Sequence, residues 1–352
     1  MKVRTQKSMT PKELGYYFPA EFERHCGTWL SWPHKEASWP GKIETIFPVY
    51  AQFISLVAEG EMVNINVVDE EMRSKAINHL AAARADLGNI QFFIHPTNDA
   101  WCRDHGPAFL INPGEKKKMV VDWGYNAWGG KYPPFDLDDN IPTLIANHYG
   151  IPVVYPGIVM EGGCVEFNGR GTVITTTSCL LNKNRNPHLD QREIETYLES
   201  YYGVDNILWL GDGIVGDDTD GHIDDLVRFV NPDTVVTVVE EDKADDNYKP
   251  LQENLSLLKK MRLENGKQLT IAELPMPGRL VYEDMRLPCS YANFYICNNY
   301  VIVPTFRDPN DEKALAVLEK CFPGRKIVGL DSADIIWGLG SFHCLSQQEP
   351  EI

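Results

Sequence analysis

The sequence predicts an α/β fold in which one unit, strand–strand–helix–strand, is repeated around a centre. Three observations carry this. The unit recurs about every 60 residues, without sequence identity between copies. Tight-turn signals, Asn168-Gly169 and Asn298-Asn299, join its first two strands. An N-terminal strand at Thr28–Ser31 and a C-terminal strand at Phe342–Ser346 are each half of an unfinished unit. Joining them gives five units in a closed ring, which leaves no free sheet edge. An α+β sandwich without internal symmetry fits the same pattern and stays open at this point.

The chain opens with a polar lead-in over residues 1–26. Its basic start has no apolar run behind it and does not read as a secretory signal. Residues 27–31 form a short buried strand. Ile46, Tyr50, Phe53, Ile54 and Val57 fall at helical spacing and predict a helix over 43–59. Strand 62–68, an alanine-rich helix 70–87 stopped near Gly88, and strand 90–94 complete a first unit, 27–95. The second unit, 104–155, has strands 107–111 and 119–123, helix 137–148 ending at Gly150, and strand 152–155. The third, 161–210, has strands 163–167 and 172–176, helix 190–202 with Gly203 past its end, and strand 206–210. The fourth, 222–274, has strands 225–230 and 234–239, helix 247–265 and strand 269–274. The fifth, 290–330, has strands 292–297 and 300–304, helix 310–321 and strand 326–330, and residues 338–348 close the array. No linker, low-complexity segment or composition break interrupts the chain, so 1–352 reads as one domain.

The composition, 43% hydrophobic and 24% charged, is that of an ordinary globular chain. A net charge of −17 argues against nucleic acid and anionic membranes, which need a basic footprint. It suits a cationic substrate, although solubility alone also explains it. No apolar run approaches the ~20 residues that span a bilayer. Eight cysteines without a CxxC pair read as free thiols in a reducing cytoplasm.

Four polar clusters stand where strands begin. Cys344 follows Gly338 and Gly340, which let the backbone turn tightly and leave open space beside the thiol. A thiol reacts as thiolate, a form that a bound cation favours. His343 is adjacent, so on a strand it faces the other way and reads as structural. His222 and Asp224 alternate on an extended strand and face one way, a general acid/base with a carboxylate beside it. Asp104 follows Trp101, a pairing that suits a planar cation: the carboxylate takes its N–H groups and the indole covers its apolar part. Glu161, before Gly162-Gly163, could orient a histidine or take a substrate N–H, and equally could be a solvated loop residue. The aspartates of 217–225 lack calcium-loop spacing, and Cys102 and His105 lack a second ligand pair, so no metal is expected. In the ring arrangement all four clusters meet at the mouth of one channel. A nucleophile within a cation site fits attack on a guanidinium carbon.

Several motifs are specific: Trp101-Cys-Arg-Asp104-His-Gly-Pro, Asp122-Trp-Gly-Tyr-Asn-Ala-Trp-Gly-Gly130, Glu161-Gly-Gly, Leu180-Leu-Asn-Lys-Asn-Arg-Asn-Pro187, Gly216-Asp-Asp-Thr-Asp-Gly-His222-Ile-Asp224 and His343-Cys344-Leu-Ser-Gln-Gln348. On these, over nearly its whole length, the chain resembles the agmatine deiminases, in the bacterial peptidyl-arginine deiminase family of the guanidine-modifying superfamily. The resemblance implies a five-bladed α/β-propeller and a hydrolase acting on the C–N bond of a linear amidine. It implies Cys344 as nucleophile, His222 as general acid/base, Asp104 and Asp224 on the guanidinium nitrogens, and Glu161 in support of His222 and substrate. Trp101 would lie along the alkyl chain. Asp218, where these enzymes often carry Glu, would face the agmatine amine. Trp123 heads a Gly- and aromatic-rich segment, 123–132, placed like a lid, and is counted with the substrate-binding residues. The stretch Gly338-Leu-Gly-Ser-Phe departs from the more usual Gly-Gly-Gly-Asn-Ile. The implied reaction turns agmatine into N-carbamoylputrescine and ammonia, a step toward putrescine, through an amidino-cysteine and with no cofactor. The alternative is a deiminase of free or peptidyl arginine, with Arg185 or Arg307 reading the carboxylate or carbonyl. An amidinotransferase, or a non-catalytic binder on the same scaffold, ranks lower because the Cys–His–Asp–Asp set is intact and water is the simplest acceptor. The expected partner is a small cationic guanidine, and a homodimer is compatible with the sequence.

Overall fold

The computed structural model describes residues 9–352; the basic stretch 1–8 read above lies outside the described residues. Four three-stranded sheets share one plan, in which the first two strands are antiparallel and the third runs parallel to the second. They are Ala108–Asn112 with Lys117–Val121 and Val153–Val154, then Val165–Phe167 with Thr172–Thr176 and Asn206–Leu210. The others are Val227–Asn231 with Thr234–Val239 and Thr270–Pro275, and Tyr295–Ile296 with Tyr300–Thr305 and Lys326–Asp331. A helix makes each parallel crossover, as such a connection requires. A fifth sheet unites both ends of the chain, in the order Ser346–Pro350, His25–Ser31, Met62–Val67, Ile90–Ile94. Trp29 pairs with Gln347 across it, so the join expected from sequence is made.

Local sequence explains the helices. Ile43–Ala58 buries Ile46, Tyr50, Phe53, Ile54 and Val57 on one face, the spacing of an amphipathic helix. Gln191–Tyr202 starts at a capping box in which Asp190 and Glu193 each bond the other's backbone N–H. It stops at Gly203 in the left-handed region, φ 73°, where a Cβ would stand 2.6 Å from the Tyr16 carbonyl oxygen.

Several boundaries differ from expectation. The closing strand is Ser346–Pro350, not 342–346, and the residues around Cys344 are turns. The strand expected at 292–297 shrinks to Tyr295–Ile296. The helix expected at 137–148 begins at Ile141, with Pro142 in the first turn where its missing N–H costs nothing. The helices expected to end at 87 and 265 stop at Ala82 and Leu258. A hairpin at Val281–Tyr282 and Met285–Arg286 went unread. The lead-in is not a surface tail: Tyr17 bridges to Ile111, and Tyr16, Phe18, Ala20 and Glu21 are buried.

Glu21 enters a charge network that the pattern of apolar residues does not disclose. Arg228, fully buried, places Nη2 2.8 Å from Glu21 Oε1 as an ion pair without hydrogen-bond alignment. Its Nε donates to Glu166 Oε2 at 3.0 Å, and its Nη1 donates to the carbonyls of Ala292 and Phe294. Arg103 Nη2 donates to Glu21 Oε2 at 3.1 Å. Removing one partner of such a pair leaves buried charge uncompensated. Arg228→Met, which strands Glu21 and Glu166, should therefore destabilise the fold by about 3–5 kcal/mol in urea unfolding. An unchanged midpoint and slope would refute the importance of the network.

Candidate active site

Asp104 sits on the short helix Cys102–His105, fixed at both oxygens. Trp128 Nε1 donates to Oδ2 at 2.9 Å, and the Gly163 backbone N–H donates to Oδ1 at 2.9 Å. His222 leads into a 3-10 turn, Ile223–Asp225, rather than the extended strand expected. The two side chains still converge: His222 Nδ1 lies 3.7 Å from Asp104 Oδ1 and 3.9 Å from Asp224 Oδ1. Neither ring nitrogen has an aligned hydrogen-bond partner, although the ring is fully buried. Asp217 explains much of the acidic loop, since its Oδ2 accepts from the backbone N–H of Gly221 and of His222, both at 3.0 Å. Asn293 Nδ2 donates to Cys344 Sγ at 3.0 Å, and that thiol lies 3.6 Å from Asp224 Oδ2. The sequence thus brings Cys344, His222, Asp104 and Asp224 to one place.

Glycine makes the convergence possible. A Cβ on Gly163 would stand 2.5 Å from His222 Nδ1 and 2.8 Å from Asp104 Oδ1. Gly338 and Gly340 line the cavity beside Cys344, the open space expected, and they also allow a close approach. Added Cβ atoms there would meet Trp101 at 2.8 and 2.6 Å, and the left-handed residue between them is Leu339, φ 69°.

Electrostatics set the protonation states. Burial opposes charge on His222, but Asp104, Cys179 and Asp224 together hold its pKa well above the usual histidine range. Burial pushes Asp104 up to about 6, against the pull of His222 and with the push of Asp224 and Glu161. Burial opposes ionisation of Asp224 too, yet His343 and His222 bring it below the usual range. Burial, then Asp224, Asp225 and Asp104, push the Cys344 thiol well up. These shifts favour the protonated form of both His222 and Cys344.

Cys344, Asp104 and Trp101 open on a cavity of about 520 Å³, with Trp128 and Asp218 also on its wall. Trp101 stacks on Trp39, centroids 5.1 Å apart. At the mouth, Asp218 accepts from the Tyr132 hydroxyl and pairs with Lys131, while Lys35 pairs with Asp99.

Some expectations need correction. Trp123 does not reach this cavity; it packs against Tyr201 and Tyr202, and Trp128 supplies the indole. The cause is local, because Ala127 and Trp128 both take left-handed backbone, φ 51° and 55°, and turn the segment inward. Glu161 does not hold His222; its Oε1 accepts from Arg185 Nε at 2.6 Å in a fully buried pair, and its Oε2 has no partner. Arg185 is thereby withdrawn from any role at the mouth, and Arg307 is an exposed residue paired with Asp331 and Asp334. His343 is more than packing, since Nδ1 lies 2.7 Å from Asp224 Oδ2 and Nε2 2.8 Å from Glu21 Oε2. Sequence reasoning missed Trp128, Asn293 and Glu21; only Trp128, inside a motif already singled out, carried a signal. Ligand atoms of Glu161, Cys164 and Cys179 lie within 4.8 Å of one another, a grouping that the sequence spacing did not disclose.

With this geometry in hand, the relatives are informative. The model of the Porphyromonas-type peptidyl-arginine deiminase family matches residues 17–350. The agmatine deiminase of Ectopseudomonas mendocina is 35% identical over 369 residues, covering 98% of each chain. The solved agmatine deiminase of Enterococcus faecalis superposes with a TM-score of 0.90 at 32% identity, over 99% of this chain and 100% of that one. A C. jejuni agmatine deiminase solved with substrate bound gives a TM-score of 0.86 at 34% identity, over 95% and 96%. The mixed α/β fold is theirs. The chain belongs to the Porphyromonas-type peptidyl-arginine deiminase family.

Proposed function

We propose that the protein is an agmatine deiminase, hydrolysing agmatine to N-carbamoylputrescine and ammonia. The observation that carries this is the meeting of the Cys344 thiol, the His222 imidazole and the carboxylates of Asp104 and Asp224 beside a cavity that Cys344 and Asp104 line, with Asp99 and Asp218 also on its wall. Full-length relatives that are agmatine deiminases support it. The guanidinium lies against Asp104 and Asp224, which offset its desolvation and align its carbon with the sulfur. Its positive charge favours the Cys344 thiolate, which burial otherwise suppresses. The sulfur attacks, His222 gives its proton to the departing ammonia, and an amidino-cysteine remains. His222 then takes a proton from water, the water oxygen bonds to the same carbon, and the C–S bond breaks to release the urea product. Asn293 steadies the sulfur, Trp101 and Trp128 flank the chain, and Asp218 faces the amine. Glu161 contributes indirectly, as the partner of Arg185.

The five sheets are read as blades of a closed propeller forming one catalytic domain over 1–352, which the shared strand plan and the pairing of the two chain ends support. No helix among the described residues is long and apolar enough to cross a membrane. Eight cysteines without a disulfide fit a cytoplasmic enzyme of polyamine synthesis. The arginine reading retains one supporting observation, Lys35 at the mouth, a cation that could meet a carboxylate.

A panel of agmatine, arginine and a blocked peptidyl arginine, assayed for ammonia, decides between the readings: agmatine should be preferred at least tenfold, and equal rates would refute the choice. Cys344→Ala should abolish ammonia release while calorimetry still detects agmatine binding; residual turnover near wild type would sink the mechanism. Asp104 binds substrate in its ionised form, and an acid with a raised pKa ionises only above that value. The acid limb of kcat/KM should therefore fall near pH 6. A flat profile from about pH 5 to 7 would contradict the assignment. Gly163→Ala should reduce kcat at least a hundredfold with the thermal midpoint largely kept, because the added methyl displaces His222. Wild-type kcat in that variant would show that the contact is tolerated.

A further inference from the structure

Beside the catalytic groups lies a second cluster whose two thiols take no part in the proposed reaction. Cys164 ends the 3-10 turn Gly162–Cys164, and Cys179 lies in the short helix Thr177–Leu180. The strands that follow and precede them are antiparallel neighbours, Val165 opposite Thr175, so both thiols stand at one end of a single sheet. Both are fully buried and free, and neither is bridged to the other. Glu161 completes the group, with all three ligand atoms within 4.8 Å of one another. A tetrahedral zinc site with bonds of about 2.3 Å to sulfur needs ligand separations near 3.8 Å, so small side-chain adjustments close it. The carboxylate has capacity to spare, since Glu161 Oε2 is buried without a hydrogen-bond partner.

We propose that Glu161, Cys164 and Cys179 bind a thiophilic divalent cation of the Zn²⁺ class, and that its binding shuts off turnover. Charge supports the occupant. Two thiols release their protons to solvent as two sulfur–metal bonds form. Two thiolates and the Glu161 carboxylate then face a dication, and the Arg185 guanidinium already paired with Glu161 brings the buried sum to zero. A softer donor set than carboxylates alone favours zinc over calcium or magnesium. The inhibitory part rests on the reaction proposed above. Gly163, between the ligands Glu161 and Cys164, donates its backbone N–H to Asp104 Oδ1 at 2.9 Å and packs against His222, so a metal that draws the turn toward itself moves both groups off position. Glu161, drawn to the metal, also loosens the Arg185 contact that ties it to the acidic loop through Asp220.

The binding test needs no activity. Co²⁺, a spectroscopic stand-in for Zn²⁺, is titrated into the full-length Cys344→Ala protein, which lacks the catalytic thiol. The expected result is a sulfur-to-cobalt charge-transfer band saturating at one equivalent and bleached by Zn²⁺. Adding Cys164→Ser, or separately Cys179→Ala, should weaken apparent affinity at least tenfold, with circular dichroism confirming the fold of each. No band in the Cys344→Ala protein, or an undiminished band in both double variants, would overturn the site. In the wild-type enzyme, equimolar Zn²⁺ should stop ammonia release from agmatine and a chelator should restore it. A band without inhibition would overturn the shut-off and leave the site standing. A wild-type protein inert toward agmatine before any metal is added would overturn the function instead.

Discussion

Glu21 is the joint on which the rest turns. It is a buried carboxylate, and burial alone would keep it neutral, yet Arg228, His343 and Arg103 hold it well below the usual carboxylate range. Its contacts reach four distant parts of the chain. Oε1 accepts from the Ile296 backbone N–H at 2.8 Å and lies 2.8 Å from Arg228, while Oε2 takes Arg103 and His343. Such a group is costly when incomplete, because each missing partner leaves desolvated charge. The segment before the first strand must therefore dock before the centre of the molecule is electrically satisfied.

That joint extends into the reaction site. His343 spans Glu21 and Asp224, with one ring nitrogen against each carboxyl group. Asp224 is pinned on one oxygen by this bond, and its other oxygen, 3.9 Å from His222, has no hydrogen-bond partner and remains free for a ligand. Arg103 precedes Asp104 and donates its backbone N–H to the Cys344 carbonyl at 3.1 Å. A single buried network thus sets the spacing of Asp104, His222 and Cys344, although these three residues are more than a hundred positions apart. Rigid placement of this kind is what lets a short list of side chains do chemistry.

Sequence made part of this legible. Period and turn chemistry located most strands, because exposed turns carry their own signals and buried strands their own composition. The residues bearing the chemistry stood out because polar clusters fit strand interiors poorly. What stayed hidden was long-range. Nothing near Glu21 or Asn293 in sequence announces a partner, and Glu161 next to paired glycines suggested a histidine when its partner is Arg185. Trp123 and Trp128 share one motif, and their partners, Tyr201 and Tyr202 for the first and Asp104 for the second, lie elsewhere in the chain. The expectation that Cys344 lies on a strand failed for a related reason: Gly338 and Gly340 are shaped by the indoles of Trp39 and Trp101 packed against them, which no local propensity encodes.

On the proposed reaction, the same charges that attract the substrate also govern the nucleophile. Asp224, Asp225 and Asp104 surround Cys344, and each raises the cost of a sulfur anion that burial already disfavours. A unit charge about 4 Å away is worth on the order of 4 kcal/mol at the effective dielectric of such sites, so no single neighbour is negligible. The arrangement looks self-defeating for a nucleophilic enzyme until the cation is included. A guanidinium between the carboxylates cancels their field at the sulfur, and the thiolate then gains a positive neighbour in addition to His222. Reactivity is in this way conditional on the ligand. On that reading the sulfur stays a thiol toward neutral electrophiles and becomes a nucleophile only when a planar cation lies against the carboxylates. Acidic groups around a catalytic cysteine therefore supply chemical selectivity as well as affinity.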